Sequence, residues 1–294
     1  MEHLSEGNSI KGTGRLVRVD ASTARRLNRK GGQHGQRFHE ENVQNLKVTD
    51  IQADEKHGYA ETKSQPAWEA EVIDPKSKFV ISHVQGKRDE ELIRSLLTDT
   101  AQRVAAPHQI ALFSDGFVSY KTLFPQLFGR AYQPPRRTHL GRPPKTRYRI
   151  PRSAAHVQIG KHRQGQKLQS VEIRYAHGSQ KRIDQALTDL GFNIPNTSII
   201  ERYNGTARLM NGTQARKTLA FAKHEDDKRH RGWWALTVYN WARPHRSLRQ
   251  LLDVPLGKKM YEHRSPAMAI GLANHIFSQA EILLTPVYPP NGWR

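Results

Sequence analysis

The chain has 294 residues, and its 47 Lys and Arg against 27 Asp and Glu leave a formal charge of +20 and a pI of about 10.3. This excess argues against an ordinary metabolic enzyme and favours a polyanionic partner, nucleic acid before an acidic membrane surface. The lack of cysteine excludes disulfide scaffolds, zinc ribbons and thiol nucleophiles. No run of 18 apolar residues and no apolar leader occur, so we expect neither a membrane span nor a secretory signal.

The first 47 residues indicate short helices. One helix is predicted over 21–30, with Asp20 or Ser22 as its N-cap and Gly31-Gly32 as its end. A partner helix over 12–19 would make a helix-turn-helix-like pair, whose second helix enters the major groove of DNA. A basic surface helix without a DNA contact accounts for the pattern nearly as well. The cations that would contact DNA are Arg25, Arg26 and Arg29.

Residues 48–115 have a pattern typical of a mixed sheet. Strands are predicted over 48–55, 68–74 and 79–84, where β-branched and aromatic residues are frequent. Leu and Ile then recur with helical spacing over 90–104, and the apolar run 110–113 indicates a buried strand. The order strand, strand, strand, helix, strand predicts an α/β fold with a mixed sheet flanked by helices.

The remaining chain alternates between strands and helices. A β-hairpin is predicted over 155–177, with strands 155–162 and 168–177. Helices are predicted over 120–128, 180–190, 197–210, 213–223, 226–241 and 266–273. We therefore divide the chain into an N-terminal DNA-binding segment (1–47), a central domain (48–250) with a basic insertion (130–178), and a C-terminal extension (251–294).

The stretch 116–171 contains no Asp or Glu but twelve Lys or Arg. A solvated face of a neutral protein would mix charges, so we favour phosphate contacts over a merely solvated basic loop. Two Pro-Pro pairs should keep part of the stretch extended, and 140–145 resembles the core of an AT-hook. We expect residues 130–167 to follow the DNA backbone outside the packed core. The candidate contacts are Arg142, Lys145, Arg147 and Arg149.

Three acids occupy positions where a charged side chain is unusual and calls for a functional explanation. Asp54 ends the first predicted strand, Asp115 follows the buried strand, and Glu201 lies beside the core face of the helix over 197–210. Each alone is more often a solvated strand end or helix charge, but together they can converge at one sheet edge. Three such anions repel one another unless a cation lies among them. We also expect Asn204 and Arg208 to lie near Glu201 or a bound phosphate.

Oxygen ligands of this kind suit Mg²⁺ or Mn²⁺. Two such ions can activate a water or a 3′-hydroxyl and stabilise the leaving oxygen, and a basic surface beside them would hold a phosphodiester. The residues therefore favour a metal-dependent enzyme acting on nucleic acid. No Walker A, G-x-S-x-G or G-x-G-x-x-G motif is present, so nucleotide hydrolysis and serine esterase chemistry have no support.

Several motifs stand out along the chain: Gln52-Ala53-Asp54-Glu55, Ser114-Asp115-Gly116 with Tyr120, and the blocks 196–206, 216–223 and 239–248. Through these residues the chain resembles, over roughly residues 20–285, the DDE-type transposases of bacterial insertion sequences, of the InsB-like kind. The resemblance implies a ribonuclease-H-like fold for 48–250 and DNA strand cleavage and transfer with two Mg²⁺ or Mn²⁺ ions. It also implies that Asp54, Asp115 and Glu201 are both the catalytic triad and the metal ligands.

As partners, the resemblance implies element-end and target DNA and a homo-oligomer formed on DNA, with Lys217 as a further DNA contact. It implies a cytoplasmic, nucleoid-associated transposase and no membrane. The sequence departs from the family where Lys56-His57 stands in place of an aromatic residue, and its N-terminal segment is shorter than usual. The alternatives are a related nuclease without strand transfer and a decayed copy that only binds DNA.

Overall fold

The computed structural model describes residues 1–135, 144–165, 167–215, 218–256 and 259–288. Its centre is a six-stranded mixed sheet with the order β3-β2-β1-β4-β7-β8, and two small two-stranded ribbons, β5–β6 and β9–β10, lie outside that sheet. The strands are β1 (Asp50–Lys56), β2 (Trp68–Ile73), β3 (Val80–Gly86), β4 (Ala111–Asp115), β5 (Arg130–Tyr132), β6 (Arg147–Arg149), β7 (Ala155–Gln164), β8 (Lys167–Gly178), β9 (Gln250–Leu256) and β10 (Lys259–Glu262).

The sheet combines parallel and antiparallel pairs. Strands β1, β4 and β7 are parallel, whereas β2 is antiparallel to both β1 and β3, and β8 is antiparallel to β7. The predicted α/β class and the predicted order of strands over 48–115 are confirmed. Because β1 and β4 are parallel neighbours, their carboxyl ends lie at the same edge of the sheet.

Helices pack against the sheet and around its edges. They are α1 (Glu2–Ser5), α2 (Ile10–Leu16), α3 (Ala21–Asn42), α4 (Glu90–Arg103), α5 (Val118–Phe128), α6 (Gln180–Leu190), α7 (Ser198–Met210), α8 (Glu225–Thr237), α9 (Pro266–Ile270) and α10 (Gln279–Leu284). Successive residues of β4 pack into different hydrophobic cores. Leu112 belongs to the larger core, which also contains residues of α4 and α5, whereas Phe113 packs with Ile183 of α6 in the smaller one. In the described parts of the chain, no helix is both long and apolar enough to cross a membrane.

The prediction that Gly31-Gly32 ends a helix is wrong, because α3 continues to Asn42. The glycines instead allow α3 to approach α8 closely. A Cβ on Gly32 would lie 2.2 Å from the backbone oxygen of His230, and one on Gly35 would lie 2.7 Å from Thr237 Oγ1. Helix α3 therefore packs on the body of the protein through a surface that only glycine permits. Asp20 is its N-cap and accepts a hydrogen bond from the Ser22 amide.

The prediction of a helix over 213–223 is also wrong for the residues that the structure describes there, 213–215 and 218–223. Asn211 Oδ1 accepts hydrogen bonds from the amide and hydroxyl of Thr213, and Thr218 Oγ1 accepts one from the Ala220 amide. Short polar side chains that bond the nearby backbone compete with helical hydrogen bonds. The segment therefore forms turns.

The expectation that all of 130–167 lies outside the packed core needs correction. Strand β7 pairs with β4, and its Ala155, Val157 and Ile159 are buried. The apolar alternation of β7 places it inside the sheet despite the basic residues around it. Residues of β5 and β6, in contrast, are exposed. The basic insertion is thus part sheet and part surface ribbon.

Candidate active site

Asp54 lies near the carboxyl end of β1 and is held by two hydrogen bonds. The Glu55 amide donates to Asp54 Oδ1 at 2.9 Å, and Asn204 Nδ2 of α7 donates to Asp54 Oδ2 at 2.8 Å. Asn204 is buried, whereas Asp54 is only half-buried. The arrangement aims the Asp54 carboxylate at the junction of the sheet edge and α7.

Asp115 ends β4, beside the end of β1. Ala53 pairs with Ser114 in the parallel register, so Asp54 and Asp115 each follow one residue later on neighbouring strands. Asp115 Oδ1 accepts from the Phe117 amide at 2.9 Å, and its Oδ2 accepts from Arg88 at 3.2 Å. Carboxylate oxygens of Asp54, Glu55 and Asp115 lie within 4.8 Å of one another, close enough to hold a metal ion.

Glu201 reaches the same cleft from the first turn of α7. Thr197 Oγ1 donates to Glu201 Oε1 at 2.6 Å, and Lys161 of β7 forms an ion pair with the same oxygen. The helix start is anchored to the sheet by Gln52, whose Oε1 accepts from the Ile199 amide at 3.1 Å and the Ile200 amide at 3.0 Å. Gln52 therefore sets where α7 begins relative to β1.

The three acids line one open cleft of about 560 Å³. Arg88, Lys161 and Arg174 line the same cleft, together with Glu172, which accepts two hydrogen bonds from Arg174. Carboxylates and cations in one cleft are suited to a phosphodiester whose charged oxygens contact the cations while its reacting phosphorus faces the carboxylates.

Burial and charge repulsion both raise the pKa values of acids in the cleft. Burial raises the pKa of Asp54 to about 7, helped by the negative charges of Glu55, Asp115 and Glu201. Burial and the neighbouring Asp115 also raise the pKa of Glu55, although Arg88 opposes them. A carboxylate whose pKa is raised by other carboxylates favours the approach of a cation, which would remove the repulsion.

One buried oxygen in this region, Asn204 Oδ1, has no hydrogen-bond donor among the described residues. It belongs to the same amide that donates to Asp54, so it lies close to the acids. A buried oxygen without a hydrogen-bond donor, close to several carboxylates, matches the ligand preference of Mg²⁺ and Mn²⁺. The residues present therefore fit the divalent ions that the sequence predicts.

A second group of ligand atoms, from Glu69, Glu71 and His83, also lies within 4.8 Å and is fully buried. Here two ammonium groups already supply the positive charge. Lys56 Nζ lies 2.6 Å from Glu71 Oε2, and Lys228 pairs with Glu69. Burial alone would raise the pKa of Glu71, but Lys56 and His83 outweigh it and lower the pKa to about 2. This group forms a buried ion-pair network, so the open cleft is the better metal centre.

The predicted DNA contacts lie on several surfaces. Arg25 pairs with Asp227 at 3.0 Å, and Arg26 and Arg29 are exposed on α3. Lys145 is exposed beside the β5–β6 ribbon, and Arg147 and Arg149 are exposed on β6. Arg208 is half-buried on α7, one turn after Asn204. Arg142 and Lys217 lie outside the described residues.

Sequence reasoning missed several residues of the cleft. Gln52, Glu55 and Thr197 were recognised only as parts of motifs, and Arg88 and Lys161 were not singled out. Thr197 precedes α7 and lies four residues before Glu201, a spacing that puts both side chains on one helix face. Arg88 and Lys161 had no signal, because their approach depends on the tertiary fold.

A scan against protein-family models gives no match to this sequence, and a search of curated proteins gives no significant match. The functional assignment therefore depends on the geometry of the cleft and on the motifs of the sequence.

Proposed function

We propose that this protein is a metal-dependent DNA transposase of a bacterial insertion sequence, which cleaves DNA strands and transfers them. The observation that carries the proposal is the convergence of Asp54, Asp115 and Glu201 in one cleft from two parallel strands and a later helix. The resemblance to DDE transposases adds the family's triad at these same three positions.

We further propose that the mixed sheet is a ribonuclease-H-like fold. The order β3-β2-β1-β4, with β2 antiparallel to its neighbours and acids at the ends of β1 and β4, supports this proposal. The β7–β8 hairpin then extends the sheet next to the cleft, where Lys161 of β7 meets Glu201.

In the proposed reaction, Asp54, Asp115 and Glu201 would hold Mg²⁺ or Mn²⁺. When bound, two such ions supply an activated water or 3′-hydroxyl and stabilise the leaving oxygen. Asn204 orients Asp54 through its amide, and Thr197 orients Glu201 through its hydroxyl. Arg88 pairs with Asp115 and Lys161 with Glu201 in this structure, and with metal ions bound these two cations would be available to contact the phosphate oxygens.

The experiment is a strand-cleavage assay with purified protein and a labelled duplex that contains the DNA flanking the gene. The reaction is run with Mg²⁺ or Mn²⁺ and with EDTA. Metal-dependent nicking followed by joining to a second duplex supports a transposase. Nicking without joining supports a related nuclease, and a mobility shift without cutting supports a copy that only binds DNA. A protein that neither binds nor cuts this DNA contradicts the proposal.

A further inference from the structure

A second concave site lies on another face of α7. It has a volume of about 670 Å³ and is larger than the acidic cleft. Arg202, Tyr203 and Thr206 of α7 line it, whereas Glu201 of the same helix lines the acidic cleft. Its other walls come from Lys78 before β3, from Tyr239 and from Tyr261 of β10. The segment after α8 adds His245, Arg246, Ser247 and Arg249. We call it the arginine pocket, after Arg202, Arg246 and Arg249.

The arginine pocket is strongly positive. Its lining includes Lys78, His245 and the three arginines, and no acid lines it in the described parts of the chain. Arg202 and Arg246 are exposed, and neither forms an ion pair with a carboxylate of the described residues. Charges of one sign gathered in a concave surface repel one another, so the site is arranged to receive an anion.

His245 lies among the cations of the pocket. Burial lowers the pKa of His245, and the positive charges of Lys78, Arg202 and Arg243 lower it further. Ser247 Oγ and His245 Nδ1 are hydrogen-bonded at 2.9 Å, which fixes the ring at the pocket wall. A neutral imidazole among these cations is a polar group that can bond an anionic ligand without adding to the repulsion.

Aromatic rings complete the site. The Arg249 guanidinium carbon lies 3.9 Å from the centroid of the Tyr261 ring. Tyr203 and Tyr239 pack edge to face at 4.8 Å and form part of the lining. Cations that bind phosphate, together with ring faces that stack on bases, are the combination that proteins use for single-stranded nucleic acid.

We propose that the arginine pocket binds a nucleotide of single-stranded DNA, with its phosphate held by Arg202 and Arg246 and its base beside the stacked pair of Arg249 and Tyr261. A volume of about 670 Å³ falls in the range of small-ligand sites, which suits one or two nucleotides and not the width of a duplex. This inference rests on the proposed function for its choice of DNA. It assigns to the face of α7 that carries Arg202 the role of holding a DNA strand next to the acidic cleft.

The test measures binding of a fluorescent single-stranded oligodeoxynucleotide of mixed sequence by anisotropy in EDTA, where no cleavage takes place. Arg202→Ala combined with Arg246→Ala should weaken binding at least about tenfold, because each removes a charge-assisted hydrogen bond to phosphate. The slope of log K against log salt should flatten by about 1.4, at about 0.7 for each single-strand phosphate that the variant no longer neutralises. The control, Lys181→Ala with Arg229→Ala, removes the same charge from exposed positions outside the pocket.

Stacking is tested separately at Tyr261. Tyr261→Ala should weaken binding by at least about fivefold, and Tyr261→Phe should bind like the wild type because the ring remains. An oligonucleotide that contains 5-iododeoxyuridine should photocrosslink to the peptide with Tyr261, a readout that needs no variant to fold. An equal weakening of binding in the pocket variant and in the control variant, or crosslinks confined to other segments, would overturn the proposal. Tighter binding of the matching RNA would overturn the choice of DNA.

Failure here is distinguishable from failure of the proposed function. If the wild type binds single strands and cleaves duplex, but the pocket variants bind normally, only the pocket assignment is wrong. If the pocket variants lose binding while no condition gives metal-dependent cleavage, the pocket stands and the transposase proposal fails.

Discussion

The side-chain amide of Asn204 donates a hydrogen bond to Asp54 at 2.8 Å, between residues 150 positions apart in the chain. This bond joins α7 to the end of β1 and brings Glu201, one helical turn before Asn204, to the same cleft as Asp54. Because the oxygen of the Asn204 amide is buried without a donor among the described residues, the side chain has a free acceptor near the acids. Asn204 is a positioning residue for the candidate active site.

Replacing Asn204 by Ala should lower strand cleavage by about 10-fold to 100-fold, the range seen when a partner of a metal ligand is removed. Folding should be retained, because the buried apolar residues of α7, among them Ile200, Tyr203 and Ala207, are unchanged. Leu209→Ala, at a position of α7 that is 75% exposed, is the control and should cut at the wild-type rate. Near-normal cleavage by the Asn204 variant would show that the bond to Asp54 is only structural.

The raised pKa of Asp54 predicts a stability that depends on pH in the metal-free protein. The pKa is about 7 in the folded state against 3.8 in the reference state, so folding becomes less favourable as pH rises from about 4 to 7. Asp54→Asn removes this effect. Its free energy of unfolding at pH 8 in EDTA should therefore be about 1–3 kcal/mol higher than that of the wild type. The difference should disappear near pH 4.

Urea denaturation at both pH values measures this effect, and Asp189→Asn, at an exposed acid on α6, serves as the control. Mg²⁺ or Mn²⁺ should then raise the melting temperature of the wild type at pH 8 but not that of Asp54→Asn, since a ligand stabilises only the state that binds it. A variant less stable than the wild type at pH 8 would contradict the electrostatic account of the cleft.

Two glycines offer a matched test of helix packing. Gly32→Ala should destabilise the protein by about 1–3 kcal/mol, because its Cβ would collide with the His230 backbone. Gly205→Ala should instead stabilise it by about 0.5–1 kcal/mol, since a Cβ there meets nothing within 4 Å on the exposed side of α7. Both are measured by urea unfolding. A neutral Gly32→Ala would mean that α3 does not depend on its close contact with α8.

The basic side chains at positions 142–149 should contact DNA without supporting the fold. Replacing Arg142, Lys145, Arg147 and Arg149 by Ala should flatten the slope of log K against log salt for duplex DNA by as much as about 0.9 for each phosphate left without its cation. The melting temperature should hardly change, because the three of these side chains that lie in the described chain are exposed. A wild-type slope combined with ready unfolding would assign these side chains a structural role.

Much of the sheet could be predicted because its signals are local. The apolar run at 110–113 and the helical spacing over 90–104 correspond to β4 (Ala111–Asp115) and α4 (Glu90–Arg103). Acids at the ends of β1 and β4 could be recognised as unusual for the same reason. The sequence also indicated that these acids and Glu201 can converge at one sheet edge, but the parallel register of β1 and β4 and the position of α7 came only from the fold.

The errors come from interactions that no local pattern contains. Gly32 has the sequence signature of a helix end, but its close contact with His230 is formed by residues almost 200 positions later. Lys56-His57 departs from the aromatic residue that the family has after the first strand, yet Lys56 is the buried counterion of Glu71. Such contacts depend on the packed fold, and a single sequence gives no signal for them.

The most direct test of the catalytic assignment compares four variants in the Mg²⁺-dependent cleavage assay: Asp54→Asn, Asp115→Asn, Glu201→Gln and the control Asp189→Asn. Each of the first three should lose cleavage by orders of magnitude, because each removes one anionic oxygen ligand. Their affinity for DNA should not fall, since loss of a negative charge cannot weaken attraction to phosphate. The control should cut at the wild-type rate. Near wild-type cleavage by any one of the three would contradict the assignment of that residue.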